Sequence, residues 1–129
     1  MDQRQRAQEL RRLHERDRLL VVANAWDAAS ARVAEAVGFE TVATSSSAMA
    51  WAHGDADGEN VPFEDTLAAV ERMVAAVAIP VSVDFESGHV AATGNIERSV
   101  DALLDTGAAG FGLEDSDFEA GAILSLIHI

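Results

Sequence analysis

The feature that most constrains the fold is a repeated alternation between short apolar runs and segments with helical periodicity. Within residues 63–78, for example, Leu67, Val70, Val74 and Val77 recur at the spacing of one helix face. Alternation of this kind predicts parallel strands joined by right-handed helical crossovers. The predicted strands are residues 19–23, 39–47, 79–85 and 108–116, and the predicted helices are residues 2–15, 27–38, 63–78 and 95–107.

Two architectures fit this pattern: an open doubly wound sheet and part of a (β/α)₈ barrel. No GxGxxG or Walker sequence follows a predicted strand, which weakens the case for a nucleotide-binding open sheet. A complete barrel needs roughly 250 residues, whereas this chain has 129. The last residues change abruptly from an acidic loop to an apolar string, so we expect a truncated chain in which 123–129 form a non-native tail. A genuine short terminal strand is the alternative.

Composition excludes several classes of function. The net charge of −13 argues against nucleic-acid binding, although six of the nine basic residues lie within residues 1–18. Cysteine and lysine are both absent from the sequence, so these residues supply no disulfide, thiolate nucleophile or Schiff base. The sequence shows neither a signal peptide nor an apolar run that could span a bilayer, and we expect a cytoplasmic protein with no membrane partner.

Acidic residues follow the predicted strands at the end where parallel α/β folds place their sites. Asp84 and Glu86 are two residues apart, so in an extended segment both would point to one face. Glu114 ends the next strand, and Asp57 lies in the long polar stretch before residue 63. Converging carboxylates repel each other, and a divalent cation would remove that cost. The pattern predicts an oxygen-only site for Mg²⁺ or Mn²⁺. For any one of these acids, helix capping or solvent contact is the alternative.

Other polar and aromatic residues receive simpler interpretations. The run Ser45, Ser46 and Ser47 follows the second strand, and small residues there would let backbone N–H groups approach an anion. His89 is predicted to be a surface loop residue rather than a ligand. Trp26 and Trp51 are predicted to be packing residues.

Five short motifs together resemble the isocitrate lyase/phosphoenolpyruvate mutase superfamily. They are NAWDAASAR, ATSSS, DGE, VDFESG and GLEDS, and they occur in the order and spacing of that family between about Leu13 and Ser116. The resemblance implies a (β/α)₈ barrel of which residues 1–122 are the N-terminal half, namely an N-terminal helix and the first four βα units. It also implies that the full-length protein is a homotetramer.

The resemblance assigns roles to particular residues. Asp84, Glu86 and Glu114 match the acids of the family's metal site, and Asp57 matches a loop acid that reaches the metal through water. The serines 45–47 match the segment that binds the substrate's carboxylate and oxo group, and Asp27 matches a position at the first strand end that is assigned to substrate binding. Asp57 and Ser45 are the candidate catalytic residues.

The implied reaction is cleavage or formation of a C–C or C–P bond next to a 2-oxo acid, through a pyruvate enolate stabilised by Mg²⁺. The sequence SDFEAGA stands where the lyase branch has a basic, cysteine-containing loop, and His89 stands where a tyrosine is common. The loop departure argues against isocitrate or methylisocitrate lyase activity. The motifs NAWDAASAR and LEDS resemble more closely the mutase-like branch, which includes oxaloacetate decarboxylases and phosphonopyruvate hydrolases. Because later catalytic groups are missing, we expect this fragment to be inactive. The alternative is a non-catalytic α/β module with solvent-exposed acidic loops.

Overall fold

The computed structural model describes residues 1–114, together with the backbone of residues 116–117 and 122–123. The predicted tail lies, from residue 124 onward, outside the described residues. The helices are α1 (Gln3–Glu15), α2 (Ala28–Ala36), α3 (Ser46–His53), α4 (Phe63–Ala76), α5 (Val90–Thr93) and α6 (Ile96–Asp105). The strands are β1 (Ala23–Ala25), β2 (Val42–Thr44), β3 (Val81–Asp84), β4 (Gly110–Gly112), β5 (Ser116–Asp117) and β6 (Ala122–Ile123).

The first four strands form one parallel sheet in the order β1-β2-β3-β4. Each strand therefore pairs with the next one along the chain, and the order never reverses. A doubly wound sheet has a reversal at its switch point, whereas a barrel wall does not. Strands β5 and β6 form a separate antiparallel pair, with Ser116 opposite Ile123. The strand order favours the barrel architecture over the open sheet.

The core lies between the sheet and helices α2 and α4. Val42, Val81 and Val83 project from the strands and are almost completely buried, and α4 contributes Val70 and Met73. The apolar positions of α4 match the predicted helical stripe, and burial of such a stripe supplies most of the stability of a helix in a folded protein.

Helix α1 closes the amino-terminal end of the sheet. Buried Arg6 donates hydrogen bonds to the backbone oxygens of Val77 and Ile79, at 3.0 Å each, just before β3 begins. Leu13 is buried on the same helix. After the helix ends, Arg16 contacts Glu40 at 2.7 Å. These contacts attach the basic N-terminal segment to the rest of the domain.

The first strand lies further along the chain than predicted. The apolar run of residues 19–23 was expected to be a strand, but β1 covers Ala23–Ala25 and Leu19 is 86% exposed. Pairing with β2 fixes these bounds, because Ala23 lies opposite Val42 and Ala25 lies opposite Thr44. A continuous apolar run contains no alternation that could reveal where its pairing begins.

Helices α3 and α5 were not predicted. Ser45 accepts a hydrogen bond from the Ala48 N–H as the N-cap of α3, and Gly54 ends that helix in the left-handed conformation. The sequence pattern instead predicted that the first residues of α3 end a strand and that its last residues lie in the polar stretch before residue 63. The packing role predicted for two tryptophans is also wrong, since Trp51 on α3 is 70% exposed and Trp26 is exposed as well.

Among the described residues, no helix combines the length and the apolar character that crossing a lipid bilayer requires.

Candidate active site

Asp84 ends strand β3 and connects it to the neighbouring βα unit. Its backbone N–H donates to the Thr44 Oγ1 at 2.9 Å, and its Oδ2 accepts from the backbone N–H of Ser46 at 3.2 Å. Ser46 is the first residue of α3, where a carboxylate is favoured by the unpaired N–H groups of the helix. Asp84 is therefore fixed between the ends of β2, β3 and α3.

Glu86 lies in a left-handed backbone conformation, with φ 50°. It is only 9% exposed, and its Oε1 accepts a hydrogen bond from the Glu59 N–H at 2.8 Å. Burial raises the pKa of Glu86 to about 7, and the charges of Glu59, Asp84 and Asp57 add to this effect, while the Glu59 N–H opposes it. The Glu86 carboxylate is thus held where its charge is costly.

Glu59 occupies a central position that the sequence reasoning did not assign to the site. Its Oε1 accepts hydrogen bonds from the Ser87 N–H at 2.8 Å, the Ser87 hydroxyl at 2.7 Å and the His89 N–H at 3.1 Å. The DGE motif contains this residue, but only the folded chain brings it next to the turn after β3. No local sequence pattern indicates such a tertiary contact.

His89 is buried, which contradicts the prediction of a surface loop residue. It is 4% exposed and packs against the rings of Phe63 and Phe85, at centroid distances of 5.4 and 5.1 Å. Its Nε2 is 3.7 Å from the Glu86 Oε2 and has no hydrogen-bond partner. Burial lowers the pKa of His89, opposed by the charge of Glu59. Burial thus disfavours the charged form of both groups.

Asp84 and Glu86 line the same small cavity at the carboxyl end of the sheet. Its accessible volume is about 10 Å³, and Ser46, Glu59 and Asn60 also contribute to its wall. The two acids were expected to share a face because the segment would be extended. They do share a cavity, but Glu86 reaches it through a left-handed turn rather than through strand alternation.

The donor set fits a hard divalent cation in chemistry, because carboxylate oxygens are the ligands that Mg²⁺ and Mn²⁺ prefer. Within the described part of the chain, however, no three His, Cys, Asp or Glu side chains are grouped closely enough to hold a metal ion. Mg²⁺ usually keeps several waters and needs only one or two carboxylates. Asp84 and Glu86 are the two residues that fit this requirement.

The other predicted metal ligands lie near this cavity without lining it. Asp57 is exposed, and its Oδ1 accepts a hydrogen bond from the next backbone N–H at 3.0 Å. Its charge nevertheless contributes to the raised pKa of Glu86. Glu114 is also exposed, and its backbone N–H donates to the backbone carbonyl oxygen of Glu86 at 2.7 Å. The metal-binding roles of both residues stay predictions.

The predicted substrate-binding residues fall into two groups. Ser45, Ser46 and Ser47 lie at the start of α3, beside Asp84, where the Ser45 and Ser47 hydroxyl oxygens are 3.3 Å apart. Asp27 is instead the N-cap of α2 and lines a different cavity of about 290 Å³. Hydrogen bonds from the Ser30 N–H and hydroxyl lower the pKa of Asp27.

Comparison with known proteins places the chain in a family. The family model described as phosphoenolpyruvate phosphomutase matches residues 10–127. An oxaloacetate decarboxylase of Rhodopseudomonas palustris (strain BisB18) is 34% identical over 117 residues, which cover 90% of this chain and 40% of that protein. The chain thus spans about 40% of the length of the curated relatives it matches.

Solved structures show the same relationship. A Burkholderia cenocepacia J2315 protein described as a phosphonomutase is 34% identical, with a TM-score of 0.84, and the match covers 94% of this chain and 49% of that one. Phosphonopyruvate hydrolase, solved with oxalate and Mg²⁺, shares the fold at 23% identity and a TM-score of 0.79, covering 92% of this chain and 40% of that one. The predicted partial (β/α)₈ barrel and the resemblance stated from the motifs are both confirmed. The chain belongs to the phosphoenolpyruvate phosphomutase family.

Proposed function

We propose that this chain carries the metal-binding half of a Mg²⁺- or Mn²⁺-dependent enzyme that acts on a C–C or C–P bond next to a 2-oxo acid. The observation that supports this most directly is the shared cavity of Asp84 and Glu86. Two carboxylates meet there, with Glu59 beside them, and no arginine is among the described residues that line the cavity. A bound cation would remove the repulsion between these groups.

In the proposed reaction, Asp84 and Glu86 hold the ion and do not themselves transfer a proton. Bound there, the ion would supply Lewis-acid stabilisation of negative charge on the oxo oxygen of a pyruvate-like unit, as an enolate pathway requires. The start of α3 lies beside Asp84, and we infer that Ser45–Ser47 orient the carboxylate of the 2-oxo acid there. Asp57 and Ser45 remain the candidates for contact with the reacting atoms.

The substrate class rests on the family. The relative from Rhodopseudomonas palustris is an oxaloacetate decarboxylase, and we infer a small 2-oxo acid of the same kind for this chain. Because the chain spans about 40% of that relative, we further infer that the remainder of such a protein supplies other catalytic groups. A homotetramer of the full-length protein and a cytoplasmic location belong to the same proposal.

Binding of Mn²⁺ to the purified chain, followed by electron paramagnetic resonance, tests the metal site. Wild type should bind, and Asp84→Asn should weaken binding by about tenfold or more, since loss of one charged ligand removes a strong interaction with the ion. Asp101→Asn is the matched control, because Asp101 is exposed on α6. Failure of wild type to bind, or equal binding by Asp84→Asn, would favour the non-catalytic module.

The same purified chain tests whether catalysis requires groups other than those in residues 1–129. With Mg²⁺ and oxaloacetate, residues 1–129 should bind the ion without measurable decarboxylation, which a pyruvate-coupled assay would detect. Turnover by the purified chain would contradict the inference that further catalytic groups are required.

A further inference from the structure

Three residues near the candidate metal site share an unusual backbone conformation. Among the described residues, the non-glycine positions with positive φ are Glu59 at 58°, Glu86 at 50° and His89 at 51°. Each such position costs about 1 kcal/mol or more and persists only when its surroundings impose it. All three lie within one hydrogen-bonded group, so a common cause is indicated.

The hydrogen bonds within this group run in both directions between two loops. The Glu59 N–H donates to the Glu86 side chain, while the Glu59 side chain accepts from the backbone of Ser87 and of His89. The loop before α4 and the turn after β3 are therefore joined through one residue. The turn also has backbone hydrogen bonds of its own, from the Gly88 N–H to the Phe85 oxygen at 2.8 Å and from the Glu114 N–H to the Glu86 backbone oxygen at 2.7 Å, but none of these holds the His89 N–H.

The Glu59 carboxylate is engaged with the turn through one of its two oxygens. Its Oε1 accepts three hydrogen bonds, at 2.7 to 3.1 Å, from the turn. Three donors occupy the lone-pair directions of that oxygen, so Oε1 holds the turn and does not bind a cation. Asp84 contacts the turn only through a longer bond of 3.4 Å from the Glu86 N–H.

We propose that Glu59 is a positioning residue: by holding the backbone of residues 87–89, it keeps Glu86 in the left-handed conformation that directs its carboxylate toward Asp84. The proposal rests on the proposed function, because its consequence is a preformed pair of metal ligands. Without Glu59, the turn should relax toward ordinary backbone angles, and the Glu86 carboxylate should leave the cavity.

Two substitutions separate positioning from charge. Glu59→Ala removes the acceptor, whereas Glu59→Gln keeps an acceptor oxygen in the same place and removes the charge. Amide hydrogen exchange at Ser87 and His89 should accelerate by about tenfold in Glu59→Ala and by less than about threefold in Glu59→Gln. The affinity for Mn²⁺ should follow the same order. Glu71→Ala, at an exposed position of α4, is the control.

The outcomes of these experiments distinguish a failure of the positioning role of Glu59 from a failure of the proposed function. Unchanged exchange at Ser87 and His89 in Glu59→Ala would overturn it, and so would an equal loss of Mn²⁺ affinity in both variants, which would mean that Glu59 acts by charge or as a ligand. If wild type does not bind Mn²⁺, the proposed function fails, and hydrogen exchange alone decides the positioning role. Should Glu59→Ala not fold, Ser87→Ala removes only the hydroxyl that donates to the Glu59 Oε1 at 2.7 Å, and it should accelerate exchange at His89 to a smaller extent.

Discussion

At the amino-terminal end of the sheet, arginine side chains meet backbone oxygens and a glutamate, whereas at the carboxyl-terminal end carboxylates crowd together and are held by N–H groups. Arg6 donates to two carbonyls, and Arg16 and Arg18 both contact Glu40. At the other end, Asp84 and Glu86 share a cavity, and Glu59 and His89, which have positive φ as Glu86 does, lie next to Glu86. The amino-terminal end pairs its charges with carbonyls and a carboxylate, although the buried Arg16 Nε has no hydrogen-bond partner, whereas the other end keeps a repulsive arrangement.

The difference indicates that the two ends serve different purposes. In parallel barrels, the carboxyl ends of the strands carry the chemistry, and the opposite ends contribute stability. Carboxylates held together for binding a cation are destabilising until the cation binds, which is the usual conflict between stability and activity. Substitutions at the amino end should therefore lower stability, and charge-neutralising substitutions at the carboxyl end should raise it.

The largest effect is expected from Arg6→Ala. The substitution leaves the carbonyls of Val77 and Ile79 without their charged donor at a buried position. Hydrogen bonds to charged groups contribute about 1.5–3 kcal/mol each, so we expect the free energy of unfolding to fall by about 3 kcal/mol. Urea denaturation measures this, with Arg4→Ala on the exposed face of α1 as the control. If Arg6→Ala lowers the free energy of unfolding no more than Arg4→Ala does, the Arg6 hydrogen bonds do not stabilise the amino-terminal end of the sheet.

The next effect is a pH-dependent gain in Glu86→Gln. The folded pKa of Glu86 is about 7 against an ordinary 4.5, so between these values the folded state keeps a proton that the unfolded state has released. The contribution of Glu86 to stability is therefore complete below 4.5 and is lost as the pH rises through 7. Between about pH 5 and about pH 8, Glu86→Gln should gain roughly 2 kcal/mol relative to wild type.

Urea denaturation of both proteins across this pH range, without metal, provides the measurement. His89 has a lowered pKa and hence gives the opposite slope below its ordinary value of 6.5, but both proteins contain it. Glu71→Gln is the control, because Glu71 is exposed. A difference between wild type and Glu86→Gln that does not vary with pH would show that the Glu86 carboxylate is not destabilised by its surroundings.

Sequence patterns predicted the elements that carry strong periodicity or caps. Helix α4 begins at Phe63 as expected and ends at Ala76, two residues before the predicted end. Helix α6 follows the Asn95 cap that the sequence indicated. By contrast, α3 consists of serine, alanine and a few larger residues, which produce no apolar stripe. Its bounds depend on the Ser45 N-cap and on Gly54 at its end, and neither residue was predicted to bound a helix.

Of the acids that line the cavity, Asp84 and Glu86 were predictable from the sequence, whereas Glu59 and the geometry of the site were not. Asp84 ends β3 and Glu86 follows two residues later, so the predicted end of this strand placed both acids at the carboxyl edge of the sheet. The left-handed turn at Glu86 and the contacts of Glu59 arise from loops that are distant in sequence, so no local pattern reports them. The burial of His89 has the same origin, since Phe63 and Phe85 enclose it from two different elements.

The smallest effect tests how tightly the turn at the carboxyl end is packed. Gly88 and Gly94 both have positive φ, at 92° and 86°. A Cβ at Gly88 would lie 2.3 Å from the Ile96 Cδ1, whereas a Cβ at Gly94 would meet nothing within 4 Å. Gly94→Ala should therefore cost only the backbone strain, about 1 kcal/mol. Gly88→Ala should cost about 1 kcal/mol more, because the end of the Ile96 side chain must move.

A double substitution isolates that contact. Ile96→Val deletes the Cδ1 atom and leaves the Leu113 Cδ2, at 3.3 Å, as the nearest neighbour of the added methyl group. Gly88→Ala should therefore cost less in that background than in wild type, which urea denaturation can measure as a coupling free energy of about 1 kcal/mol. The contact is with the flexible end of a partly exposed side chain, which is why the expected value is small. Zero coupling would mean that the turn shifts as a whole instead of resisting the added methyl group. Glu86 would then lie on a flexible turn, and the two ends of the sheet would differ in rigidity as well as in charge.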